Sequence, residues 1–197
     1  MTMNPLQVEG AWRLGWTLDV HTTFSVFLGH DQNGRAQFDT TRSALGELAY
    51  QLKYNNQPQA ADQIAAIMAA FFSDKPAVLA GIDLVVPVPA STLRPVQPVN
   101  VIASKLAANL RKPFSESAVR KTRETPTLKN ITDLAQRREA LDHAFDGDRA
   151  QLGGKGVLLV DDLYRSGSTA NAVTLAIIAA GAARVCFLAA TRTRSNV

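Results

Sequence analysis

The spacing of apolar positions changes twice along the chain. Up to about Asp39 the residues are strand formers: Thr22-Thr23-Phe24-Ser25-Val26-Phe27-Leu28, then Asp31-Gln32-Asn33-Gly34, then Ala36-Gln37-Phe38. Asn33-Gly34 favours a turn with positive φ, so a small antiparallel hairpin is expected. From Thr41 the spacing becomes helical. Leu45, Leu48, Ala49 and Leu52 recur at three- and four-residue steps behind Asp39 and Thr40 as candidate caps. A second helix is predicted from about Gln59 to Phe72, since Ile64, Ile67, Met68, Phe71 and Phe72 share one face.

From Ile82 onward short apolar runs alternate with helical stretches, the pattern of a parallel sheet built from βα units. Strands are predicted near Leu84–Val88, Ala118–Arg120, Gly156–Val160 and Arg184–Ala189, with helices near Val96–Leu110, Asp133–Leu141 and Ser168–Ala180. Gly181 supplies the stop of the last helix. The expected fold class is α/β, a parallel sheet flanked by helices with an N-terminal hairpin and helical appendage. The pattern divides the chain into residues 1–78, the appendage, and 79–197, the core.

A length of 197 residues suits one α/β domain with room for such an added segment. The 46% hydrophobic and 19% charged fractions are those of an ordinary globular chain. No apolar run approaches the roughly 20 residues of a membrane helix. Met1-Thr2-Met3-Asn4-Pro5-Leu6 lacks the basic start and apolar centre of a signal peptide, so a cytoplasmic location without membrane association is the expectation. Cys186, the single cysteine, lies in an apolar run and reads as a core thiol. His21, His30 and His143 show no ligand spacing, so a structural zinc site is not expected.

The formal charge of +4 is unevenly spread, with eight basic and three acidic residues between Arg111 and Arg138. Such a segment can serve an anionic small substrate, a nucleic acid or solvation alone.

Val157-Leu158-Leu159-Val160-Asp161-Asp162-Leu163-Tyr164-Arg165-Ser166-Gly167-Ser168-Thr169 is an apolar run ending in two acids and a hydroxyl-and-glycine turn. It reads as a buried strand that delivers carboxylates to a sheet edge, followed by a turn opening a helix. The carboxylates can hold ribose hydroxyls, and the backbone of Arg165, Ser166, Gly167, Ser168 and Thr169 can hold a phosphate. The plain alternative is a buried strand before an ordinary capped helix.

A second stretch, Val85-Val86-Pro87-Val88-Pro89-Ala90-Ser91-Thr92-Leu93-Arg94, ends a strand in small residues, two hydroxyls and a guanidinium. Arg94 can grip a diphosphate in bidentate fashion, and Ala90, Ser91 and Thr92 can donate backbone hydrogen bonds. Between these stretches lies Arg120-Lys121-Thr122-Arg123-Glu124-Thr125-Pro126-Thr127-Leu128-Lys129-Asn130, polar and basic and without clear periodicity.

The acid-ended strand and its turn resemble the signature of type I phosphoribosyltransferases, whose substrate is phosphoribosyl pyrophosphate (PRPP). "VVPVP…R", the "R-x-x-R-x-T" stretch at Arg120–Thr125, "VLLVDD" and the "LKY" at Leu52-Lys53-Tyr54 are similar to the ComF-like branch, which is associated with DNA-uptake competence. The resemblance covers about residues 38 to 190. It implies that Asp161 and Asp162 hold the ribose hydroxyls, directly or through Mg²⁺, that Arg165–Thr169 hold the 5′-phosphate, and that Ala90, Ser91, Thr92 and Arg94 hold the pyrophosphate. It also implies that Arg120, Lys121, Arg123 and Lys129 sit on a mobile loop closing over the substrate, and that the protein forms a homodimer.

Two departures from the ComF-like pattern matter. Its four-cysteine zinc module is replaced here by the hairpin, and Pro95-Val96-Gln97-Pro98-Val99-Asn100 stands where Arg-Gly-Phe-Asn is common. In similar 6-oxopurine salvage enzymes the fifth residue counted from the first acid is itself an acid; here it is Arg165, which cannot accept a proton at neutral pH. Purine salvage of that kind is disfavoured, and the nucleophilic acceptor stays open.

Three readings follow: an enzyme transferring the phosphoribosyl group with release of pyrophosphate, a non-catalytic regulator binding PRPP or a nucleotide, and a competence-related protein associated with single-stranded DNA. Against the last, Phe114 is the only aromatic residue in the basic segment, so no base-stacking platform is apparent.

Overall fold

The computed structural model describes residues 3–55, 57–90, 97–124, 131 and 133–194. Its centre is a five-stranded sheet built from β1 (Leu6–Gln7), β2 (Leu14–Val20), β5 (Leu84–Pro87), β8 (Gly156–Tyr164) and β9 (Arg184–Arg192) in the order β1-β2-β9-β8-β5. All neighbours run parallel except the short edge strand β1. Parallel strands bury both faces, and β8 shows it: Leu158 and Val160 join one core while Val157 and Leu159 join the other.

The first core is closed by α1 (Ala44–Tyr54), α2 (Gln59–Ala70) and α4 (Pro98–Leu110), which contribute Leu45, Ile64, Met68, Ile102 and Leu106. The second is closed by α7 (Ser168–Ala179) through Val173 and Ile177, with Trp12 stacked on Phe187 at 4.5 Å. Gly181 ends α7 at φ 91°, as its position in the sequence leads one to expect.

The hairpin is present as β3 (Thr22–His30) and β4 (Ala36–Arg42), turning through Gly34 at φ 73°. Its paired strands reach Arg42, so Asp39 and Thr40 lie within β4 and do not cap α1. The cap is Ser43, whose hydroxyl oxygen accepts from the Gly46 amide at 3.0 Å.

Leu14–Val20, which the apolar pattern leaves unassigned, lies inside the sheet between β1 and β9. Its alternating Thr17 and Asp19 suggest a half-exposed strand, yet both are buried, because the buried Arg192 donates to Thr17 Oγ1 and lies near Asp19. β8 and β9 also run beyond their expected ends, since Leu163 and Tyr164 pair with Thr191 and Arg192.

Helix α1 approaches the end of β2 closely. A methyl group on Gly46 would collide with the carbonyl oxygen of His21, and both groups are backbone. Gly46→Ala should therefore lose about 1–3 kcal/mol through overpacking, more than the roughly 1 kcal/mol alanine gains in a helix. A thermal melt checks the sign: the expected result is a lower Tm, and an unchanged or higher one would remove the claimed close contact.

Candidate functional site

The carboxyl ends of the parallel strands form one edge of the molecule, the place where open α/β sheets receive ligands. β8 brings Asp161 and Asp162 there. Continuing the alternation of the strand, Asp161 faces the α7 side and Asp162 the α1 side. The Asp161 carboxylate accepts the Asp162 amide at 2.9 Å. Burial first, and the charge of Asp162 second, push the Asp161 carboxyl well above the usual carboxylate range.

Asp162 is paired with Lys53 of α1 at 3.6 Å, and both side chains are partly exposed. Its carbonyl oxygen accepts from the buried Thr191 hydroxyl at 3.0 Å, and the same hydroxyl lies 3.1 Å from His21 Nδ1.

Gly167 is the N-cap of α7 at φ 73°, and having no side chain it offers the first amides of the helix no cap. Ser166 and Ser168 hydroxyls meet at 3.0 Å across it. Arg165 is exposed, while Ser166, Ser168 and Thr169 are half-buried. The ring of Tyr164 lies under Gly167, edge-on to Trp12 with centroids 6.5 Å apart.

Asn171 binds the turn to the N-terminal segment: its side-chain amide donates to the Gly167 carbonyl at 3.0 Å and its oxygen accepts the Ala11 amide at 2.6 Å.

β5 lies beside β8, with Pro87 opposite Val160 and the Val88 amide donating to the Val160 carbonyl at 2.8 Å. Ala90 follows three residues later and is half-buried; Ser91, Thr92 and Arg94 lie outside the described residues.

The basic stretch leaves β6 (Val119–Lys121) and returns through α5 (Leu134–Leu141) to β7 (Phe145–Gly147), which pairs antiparallel with β6 away from the central sheet. Arg120 pairs with Asp146 at 2.8 Å, and Arg123 donates to the carbonyls of Ala140 and Asp142 at 3.2 and 2.6 Å. These two arginines hold the stalk together; Lys121 is half-buried opposite Phe145, and Lys129 lies outside the described residues.

Asp161, Asp162 and Arg165–Thr169 are therefore contiguous, and Ala90 shares their sheet edge. Lys53, His21, Thr191, Tyr164, Trp12 and Asn171 are site residues to which sequence pattern alone assigns no role. Lys53 leaves one trace: it stands four positions after the buried Ala49, so a charge borders the apolar stripe of α1. His21 and Thr191 leave none, because only the β2–β9 pairing brings them together.

A sheet edge with two acids and an uncapped helix start can hold a ligand bearing hydroxyls and an anionic group. No protein-family model matches the chain, and no curated protein matches it. Among solved structures it is similar to the glutamine PRPP amidotransferase from B. subtilis complexed with ADP and GMP, at 19% identity over 80% of this chain and 34% of that one, TM-score 0.48. It is also similar to an allosteric regulatory enzyme of purine biosynthesis at 20% identity, covering 80% and 33%, TM-score 0.47. A hypoxanthine phosphoribosyltransferase from Staphylococcus aureus is similar at 11% identity, covering 68% and 63%, TM-score 0.39. The chain thus spans about a third of the length of the first two.

Proposed function

We propose that the chain is a phosphoribosyltransferase of the type I, ComF-like kind, which binds PRPP with Mg²⁺ and passes the phosphoribosyl group to a nucleophile, releasing pyrophosphate. The observation that carries this reading is the contiguity of the β8 acids with the uncapped Gly167 start of α7. The helix-start amides of Arg165–Thr169 take the 5′-phosphate, a natural guest for a positive dipole end. Asp161 and Asp162 take the ribose hydroxyls, one from each face of the strand end. Ala90, Ser91, Thr92 and Arg94 take the pyrophosphate beside them.

The donor chemistry suits Mg²⁺. Two carboxylates at an accessible edge offer the hard oxygen ligands it prefers, and it characteristically keeps waters and adds substrate phosphates in place of an all-protein cage. When bound, the ion would neutralise charge on the departing pyrophosphate. The elevated proton affinity of Asp161 fits a group awaiting a cationic or hydroxyl partner.

Calorimetric titration with PRPP and Mg²⁺ tests binding, and pyrophosphate release with a panel of azoles, amines and pyridine carboxylates tests transfer. Binding with turnover of at least one acceptor is expected. Binding without turnover would replace the enzyme by a PRPP-binding regulator, and absence of binding would end both readings.

A further inference from the structure

We propose that His21 is the general base of the transfer, accepting at Nε2 the proton that a protic nitrogen nucleophile loses as it bonds to the ribose C1. The inference rests on the PRPP reading above and adds a class of acceptor to it: amines whose attacking nitrogen carries a hydrogen.

The hydrogen-bond count sets the state of the ring. The Thr191 hydroxyl has one proton, and it goes to the Asp162 carbonyl oxygen at 3.0 Å, an atom that can only accept. Facing His21 at 3.1 Å, the hydroxyl oxygen must therefore accept, so Nδ1 carries the hydrogen. In the neutral imidazole this leaves the lone pair on Nε2. Such orientation of one ring nitrogen by a fixed partner is how a base is kept in its working tautomer.

Position and charge agree with the role. His21 stands one residue beyond β2 on the ligand edge, with its amide bonded to the Arg192 carbonyl at 2.7 Å and its own carbonyl receiving the Ser43 amide at 3.3 Å. Its ring is only partly buried and lies two hydrogen bonds from Asp162. The charged groups that reach it are Arg42 from β4, Lys53 from α1, Arg165 from the turn and Asp162 from β8. Burial first, then Arg42, with Lys53 and Arg165 adding, outweigh Asp162 and hold the imidazole below its ordinary 6.5, hence neutral and able to accept at pH 7.

The step balances without another reagent. The acceptor nitrogen's lone pair forms the bond to C1, the bond from C1 to the pyrophosphate oxygen breaks, and pyrophosphate leaves with that electron pair. The N–H proton passes to Nε2, and the imidazolium, favoured by Asp162 and disfavoured by the three cations, returns it to solvent.

The test compares the parent with His21→Asn, whose side-chain amide nitrogen takes the place of Nδ1 and can still donate to Thr191. Pyrophosphate release is measured with aromatic amines such as aminobenzoates, which lose a proton from the attacking nitrogen on transfer, and with pyridine carboxylates, which do not. Expected for the N–H acceptors is a loss in kcat of about 10²–10⁴, with the parent's acidic limb below pH 6.5 absent from the variant. PRPP affinity and any pyridine transfer should stay unchanged, and nitrogen NMR should show His21 as the Nδ1–H tautomer.

The opposite tautomer, a surviving acidic limb, or an equal loss of PRPP affinity would overturn the proposal. So would PRPP binding by the parent with no N–H acceptor turned over. If the parent fails to bind PRPP, the reading beneath the proposal fails first, and calorimetry separates the two cases.

Discussion

Gly167→Val should abolish measurable PRPP binding while leaving the fold in place. At φ 73° a β-branched residue is strained by about 1–3 kcal/mol. The new Cβ would also stand 2.8–3.1 Å from the Tyr164 hydroxyl and ring, an overpacking of a further roughly 1–3 kcal/mol. Tyr164 has little room to retreat, since Trp12 meets it edge-on and Phe187 lies behind with ring centroids 5.9 Å apart.

The turn, which carries no sheet pairing of its own, yields before β8 or α7 does, and the amides proposed to hold the phosphate lose their common focus. A loss of affinity of at least about 100-fold corresponds to about 2.7 kcal/mol, within the strain just described. Calorimetry reads it, with circular dichroism confirming retained helix and sheet. Undiminished affinity in a folded Gly167→Val protein would show that the phosphate sits elsewhere.

Asp161→Asn should move activity and stability in opposite directions. Transfer should fall by about 10²–10³, the usual cost of removing one preorganised electrostatic contact. Stability is governed by the raised proton affinity of Asp161 in the folded chain. Below the unfolded value of 3.8 both states hold the proton and the group contributes nothing to the pH dependence. As pH rises past it the unfolded chain releases its proton while the folded one retains it, so stability declines until the folded carboxyl itself ionises. Asparagine removes that penalty. The variant should be more heat-stable than the parent near pH 8 and gain less or nothing near pH 3.5, a trade between stability and function often met at active sites. Melting curves at the two pH values decide it; a variant equally or less stable at pH 8 would contradict the buried, charge-disfavouring environment of Asp161.

The parts of the site that form one contiguous string are legible in the amino-acid sequence itself. Asp161 to Thr169 combine an apolar strand, acids and a turn glycine at adjacent positions, so local patterning and local chemistry coincide there. The Asn33-Gly34 hairpin and the Gly181 helix stop are legible for the same reason: each rests on the φ preference of one residue. What escapes depends on pairing between distant segments. Leu14–Val20 sits inside the sheet through its pairing with β9, where Arg192 donates to Thr17 and the Val20 amide donates to the Asp19 carboxylate. Local pattern misplaces the cap of α1 because β4 continues to Arg42, a length fixed by cross-strand partners at Thr22 and Phe24. His21, Thr191 and Lys53 come from three separate parts of the chain, and no periodicity announces their meeting.

The pairing of Leu14 with Cys186 also has a kinetic meaning. β9 is the last made of the sheet strands, so β2 carries an open edge until β5 and β8 have been synthesised. Sheets closed by such distant contacts fold slowly, because the loop-closure entropy is lost before the contacts compensate it. Since Thr191 of β9 lies between His21 and Asp162, the proposed base and the acid-bearing strand end are brought into register only by the last strand of the sheet.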